Sequence, residues 1–220
     1  NTETLPLNLL GHLNLLCAVN EQTGLMDFTT LNPQVLEDIS RAKELADIVI
    51  VCPHWGTEYS SKASSYQKKW AEAMTEAGAD VIIGTHPHVV EPVEWITAEN
   101  GNEALCYYSL GNYVSSQKKA ISILEALAWV TFHVTEDDIT IDREHTGALP
   151  LVCQYTAGPV RFQNVYLLED YTEDLAASHG IRNYGGVTLR LEDLQKWSTE
   201  TLGDFVLTKD QVLHNFKLPH

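Results

Sequence analysis

A mixed α/β layered fold is predicted by three features of the sequence. Short, continuous apolar runs follow helical repeats, histidines stand just past the ends of those runs, and after Val93 the pattern changes to closely spaced strands. Apolar runs too short for a helix are expected of parallel strands covered on both faces. Ligands bind at the carboxyl ends of such strands, so histidines placed there carry more weight than histidines elsewhere.

Taken in order, Leu13–Val19 reads as a strand. Asn32-Pro33 opens a helix, with Asn at the N-cap, Pro at the first helical position and Leu36, Ile39 and Ala42 on one face, and the helix ends near Ala46. Ile48–Cys52 is the first buried strand and stops at Pro53-His54. Tyr66, Trp70, Ala73 and Ala77 mark a second helix, closed by Gly78, and Val81–Ile83 makes the next buried strand. Val93–Thr97 and Ala104–Ser109 flank Asn100-Gly101, a hairpin signal. Strands at Leu127–Val134 and Ile139–Asp142 follow, in a stretch without helical signals that predicts a second, mostly antiparallel sheet. Strand-like Val165–Leu168 leads to helices at Tyr171–His179, capped by Gly180, and near Leu191–Leu202, and a last one begins with Thr208 and Gln211 spaced as a capping box.

Acidic residues outnumber basic ones, 30 to 14, for a formal charge of −16. That charge repels phosphate backbones and argues against nucleic acid as a partner. It leaves room for an anionic substrate where metal ions invert the local field. There is no run of about 18 apolar residues that would span a membrane. Cys17, Cys52, Cys106 and Cys153 sit in apolar, strand-like runs without C-x-x-C spacing and are expected to be buried.

Two strings carry chemistry. Gly84-Thr85-His86-Pro87-His88 puts two imidazoles two residues apart after a buried strand. If the backbone is extended, as Pro87 favours for His86, alternate side chains share a side and can flank a pair of metals. His54-Trp55-Gly56-Thr57-Glu58-Tyr59 follows the neighbouring strand, so His54, His86 and His88 are the candidate metal ligands. Glu58 is a candidate acceptor that orients an imidazole, and Asn112 a candidate donor to a substrate oxygen or metal-bound water. Trp55, Tyr59 and Tyr113 could wall a substrate, and Lys118-Lys119 is a local positive spot after the Asn112 loop. His12, His133, His145, His179, His214 and His220 lack comparable placement and are read as packing, helix-end or solvent residues.

The strings His54–Tyr59, Ala77–Val89 and Tyr108–Tyr113, with Tyr166–Thr172 and Leu175-Ala176 further on, resemble the CapA family of capsule and poly-γ-glutamate proteins. That family is similar to calcineurin-like metallophosphoesterases. The resemblance implies a layered sandwich of two mixed sheets flanked by helices and incomplete at the N-terminus. Residues 1–160 would form the C-terminal part of that domain and 161–220 a packing extension. It implies a divalent metal pair of Mn, Zn or Fe, with His54 and His86 on one ion and His88 on the other, that activates water and clamps a phosphoryl or acyl group. It further implies an anionic extracellular polymer or its precursor as partner, a capsule-synthesis membrane complex, and a place outside the cell or anchored on its outer face.

The family's remaining ligands come from an aspartate-containing Gly-Asp turn and an Asn-His pair with a following Asp, which are not in these 220 residues; His12 and Asp27 have the wrong surroundings. The expectation is therefore half of a two-metal hydrolase site, in a chain that reads as a fragment of a longer protein. Three imidazoles without carboxylates would favour zinc or nickel, weakly, over hard ions. The functional reading is biosynthesis, anchoring or trimming of capsule or poly-γ-glutamate by hydrolysis of a phosphoester or γ-glutamyl amide. The alternatives are a non-catalytic component of a polymer-export complex and a general metallophosphoesterase.

Overall fold

A computed structural model describes residues 14–158 and 163–215. Packing divides the chain into two units, one of residues 1–55, 64–84 and 94–106, the other of 56–63, 85–93 and 107–220.

In the first unit, β1 (Cys17–Val19) pairs antiparallel with β2 (Met26–Leu31). The Asn20 side chain accepts from the backbone N–H groups of Gln22 and Thr23 and closes the turn between them. The strand expected from Leu13 is thus confined to its second half, and Leu13 lies outside the described residues. Asn32 caps α1 (Pro33–Leu45) as its spacing implies, its Oδ1 accepting from Gln34 N at 3.2 Å. Replacing Asn32 by Ala leaves that donor open and is expected to cost about 1 kcal/mol, read as a lower Tm with an unchanged circular-dichroism spectrum.

β3 (Ile50–Val51) runs parallel to β4 (Val81–Ile83), and between them α2 (Ser65–Glu76) starts on a capping box formed by Ser64 and Gln67. Gly78, at φ 113, turns the chain out of α2, and a Cβ there would press to 3.0 Å on the Lys43 side chain. Lys43 in turn reaches Asp80 at 2.9 Å, and Asp80 accepts from Val49 N at 2.7 Å, which ties α1 to the two strand starts. β5 (Val93–Thr97) and β6 (Glu103–Tyr107) form the expected hairpin about Gly101 at φ 88 and complete a sheet of order β3-β4-β6-β5. One expectation is corrected: the Ile48–Cys52 run is not covered on both faces. Among the described residues β3 is an edge strand, bonded only to β4, and Ile50 is 51% exposed. Cys52 is likewise exposed, whereas Cys17, Cys106 and Cys153 are buried, and none of the four is in a disulfide among the described residues.

The second unit is built on an antiparallel sheet of order β11-β10-β7, made of β7 (Leu124–Trp129), β10 (Gly147–Tyr155) and β11 (Gln163–Leu167). All nine residues of β10 are buried. Its pairing with β7 runs from Gly147↔Trp129 through Pro150↔Ala126 to Val152↔Leu124, whereas pairing with β11 begins only at Leu151↔Leu167. A separate hairpin joins β8 (Phe132–Val134) and β9 (Ile139–Ile141). Leu149 of β10 packs with Leu207 and Val212, bringing the start of α5 (Lys209–Asn215) onto the sheet. α3 (Glu173–Ser178) and α4 (Leu191–Leu202) precede it, the latter at its expected bounds. α5 starts on the expected capping box of Thr208 and Gln211. His179 is buried: Nδ1 accepts from Ile181 N and Nε2–H donates to Cys153 O, both at 2.9 Å, and burial pulls its pKa below the ordinary value. The α/β class with mixed sheets and flanking helices is as the sequence predicts. No described helix is long and apolar enough to cross a membrane.

Candidate metal centre

His86 and His88 leave β4 by way of Gly84 and Thr85, but not in extended conformation. His86 has φ 104 and His88 φ 60, which corrects the extended H-x-H expected from Pro87. Proline restricts the residue before it without fixing the sign of its φ, and here closure of the loop decides: Tyr59 N donates to Pro87 O at 2.7 Å. Tyr59 and Tyr113 also have positive φ, 63 and 64, so four non-glycine residues of these motif loops are left-handed. Such conformations cost on the order of 1–3 kcal/mol each and persist where the surroundings over-determine them. The result sets the His86 and His88 rings with centroids 6.1 Å apart, tilted 51°, and Tyr59 against His88 at 5.9 Å.

Asn112 governs His88. Its Nδ2 donates to the backbone oxygen of His88 at 3.1 Å, which leaves Oδ1 facing His88 Nδ1 at 2.6 Å. An amide oxygen only accepts, so Nδ1 carries the proton and, in the neutral ring, Nε2 keeps its lone pair. That is the tautomer a metal-ligating imidazole needs, with its second nitrogen held by a protein acceptor. Glu58, the sequence's candidate for orienting an imidazole, does not do so at His88. Its Oε1 lies 3.8 Å from Nε2, beyond hydrogen-bonding distance, on a largely exposed side chain, and Asn112 occupies the orienting place instead.

Beneath Asn112 lies Glu125, a residue that the motifs do not single out. It is fully buried, its Oε2 accepts from Asn112 N, and its Oε1 has no hydrogen-bond partner among the described residues. Burial pushes its carboxyl up to about 8 against the pull of the backbone N–H groups of Asn112 and Tyr113. Gly111, at φ 79, approaches this carboxylate so closely that a Cβ would collide with it, and would also sit 3.2 Å from Leu124 O. The signal in the sequence is a lone Glu inside the apolar run Leu124–Trp129.

His54 follows β3, is exposed and belongs to the first unit, whereas Glu58, His86, His88 and Asn112 belong to the second. Among the described residues no group of three or more His, Cys, Asp and Glu gathers to hold a metal ion. His145 pairs with Asp142 at 2.8 Å, outside the motif loops. His12 and His220 lie outside the described residues.

Residues 16–117 match a family model described as "Bacterial capsule synthesis protein PGA_cap". The chain is 49% identical over 79 residues to a protein of Bacillus subtilis (strain 168) named "PGA biosynthesis protein CapA", covering 36% of this chain and 20% of that one. It is 42% identical over 105 residues to "Capsule biosynthesis protein CapA" of Bacillus anthracis, covering 46% of this chain and 24% of that one. The aligned region thus spans a quarter or less of these relatives' length. The family resemblance read from the motifs is borne out, and the strings around His54, His86-Pro87-His88 and Asn112 lie within the matched residues, whereas Tyr166–Thr172 lies beyond them.

Proposed function

Because residues 16–117 match the bacterial capsule synthesis model, we propose that this chain serves the biosynthesis, anchoring or trimming of capsule or poly-γ-glutamate through a metal-dependent, hydrolase-type centre that includes His88 and His86. The observation that carries the reading is the hydrogen bond from His88 Nδ1 to Asn112 Oδ1 at 2.6 Å, which leaves Nε2 as a free donor atom. The donor set fits a borderline divalent ion such as zinc better than a hard one, since imidazole nitrogens outnumber carboxylates among the second unit's candidates His86, His88 and Glu58.

A divalent ion bound there supplies Lewis-acid charge toward the phosphoryl or acyl oxygen under attack. The chain's own groups do the rest. Asn112 fixes the His88 tautomer, Glu125 anchors the backbone of Asn112, and Tyr59 covers one face of the His88 ring. Glu58, 3.8 Å from Nε2, adds negative charge beside the ligand atom. On this reading the chain works outside the cell or on its outer face, in keeping with the capsule named for the Bacillus anthracis relative.

Zinc titration followed by calorimetry, with hydrolysis of a generic phosphoester and of a γ-glutamyl amide in parallel, tests the proposal. His88→Ala and His86→Ala are each expected to lower zinc affinity at least about tenfold. Unchanged affinity in both variants would remove the centre. A second reading, a binding component of a polymer-export complex without catalysis, is favoured by the scarcity of carboxylates, which leaves a divalent pair under-neutralised. Zinc binding without hydrolysis of either substrate would select it.

A further inference from the structure

The second unit contains a cavity of about 400 Å³ lined by Tyr59 and by residues Ser115 to Lys119. Its floor is held from several sides. Tyr59 OH donates to Gln117 Oε1 at 3.1 Å, Tyr155 OH to Gln117 O at 2.9 Å, and Gln163 Nε2 to Ser115 O at 3.0 Å. The thiol of Cys153 adds a contact to Ser115 O at 3.3 Å. Strands β10 and β11 therefore fix the loop that carries Lys118 and Lys119.

Both lysines rest on aromatic rings rather than on acids. Lys119 Nζ lies 3.4 Å from the Tyr59 ring centroid and Lys118 Nζ 4.8 Å from that of Tyr184. Neither forms an ion pair with a carboxylate among the described residues, although acidic residues outnumber basic ones 30 to 14 in the chain. Elsewhere Lys43, Lys68, Lys196 and Lys209 each meet one. A ring face attracts an ammonium group without neutralising it and leaves N–H donors for another partner. Two adjacent cations kept free of acids, beside the hydroxyls of Ser115 and Ser116, form the donor set of an anion site, and the cavity is of a size to admit a small anionic group.

We propose that this cavity is a subsite for an anionic group, carboxylate or phosphate, of the substrate, held by Lys118 and Lys119. Tyr59 links it to the candidate centre, since the ring that carries Lys119 also stacks on His88. An anionic chain seated on the lysines would run past Tyr59 toward the imidazole. The proposal rests on the metal-centre reading only for that direction; anion binding itself requires no metal.

The test is calorimetric titration of the EDTA-treated 220-residue chain with inorganic phosphate, a linear triglutamate and, as the uncharged control, a linear triglutamine with blocked ends. At least one charged probe is expected to bind, to weaken as salt is added, and to lose about tenfold or more in affinity in the Lys118→Gln/Lys119→Gln double variant, with recovery in Lys118→Arg/Lys119→Arg. Phosphate binding alone would assign a phosphoester substrate, and triglutamate binding alone a polycarboxylate; either upholds the subsite. Triglutamine binding as tightly as the charged probes, no binding by either charged probe, or equal affinity in the double variant overturns it. Zinc affinity of the double variant stays at the wild-type value, so a failure here is distinct from a failure of the metal centre.

Discussion

Asn112→Ala is expected to lower the affinity for zinc about 10- to 100-fold without unfolding the chain, the usual effect of removing the partner that holds a ligating imidazole. The side chain does two things at once: Oδ1 takes the Nδ1 proton and Nδ2 ties down the backbone oxygen of the same histidine. Alanine loses both, so His88 can adopt either tautomer and its ring can rotate. Asn112→Asp separates the roles, because a carboxylate still accepts from Nδ1–H, and more strongly, but cannot donate to His88 O. Zinc affinity in Asn112→Asp is expected near wild type or above it, and nitrogen chemical shifts of the His88 ring should report a single tautomer in wild type and Asp but a mixture in Ala. Equal zinc affinity in all three proteins would show that Asn112 does not position a ligand.

The second large effect concerns pH. Glu125 is buried with a carboxyl pushed up to about 8, against an ordinary value of 4.5 that it regains on unfolding. Between those two values the folded chain binds more protons at this group than the unfolded chain does, so stability falls as pH rises. The favourable contribution is complete below about pH 4.5, declines through neutrality and is gone above about 8. A tenfold change in proton affinity is worth about 1.4 kcal/mol, so the full swing amounts to a few kcal/mol. His179 acts in the opposite sense, since its depressed pKa makes acid destabilising; the contribution of Glu125 is therefore read as a difference. Glu125→Gln keeps an acceptor for Asn112 N and cannot ionise. Denaturant unfolding of both proteins from about pH 5 to 8 is expected to show the variant gaining steadily on wild type. Parallel curves would mean that Glu125 titrates normally.

Much of the fold could be read from local signals. The boundaries of β4 and α4, the cap at Asn32, the turn at Gly101 and the capping box at Thr208 depend on residues within one turn or one strand of each other. β10 had no such signature. Its residues are buried along its whole length, so period-2 alternation is absent, and it contains a glycine and a proline, which weaken a strand signal. In the site, the positions of His88 and Asn112 were legible as motif members, but which side chain orients the imidazole was not. That depends on a contact between residues 24 apart in sequence and on left-handed backbone at His86 and His88, which a histidine beside a proline does not advertise. Glu125 was hidden for a related reason: a single carboxylate in an apolar strand acquires meaning only once Gly111 is seen against it.

The register around Pro150 bears on self-association. The first four residues of β10 have no partner in β11, so a strand buried in the middle of the sheet would there present an open row of backbone groups to another chain. Two features blunt that row. Proline has no N–H to offer at the point where pairing with β11 stops. Nearer the start of the strand, Ala148 O already accepts from Leu207 N at 2.9 Å and Ala148 forms a parallel bridge with Val206. A strand from a second molecule would have to displace the segment that leads into α5 and would still find a missing donor beside it. The fully buried strand of the second unit is thereby kept from acting as a template for aggregation.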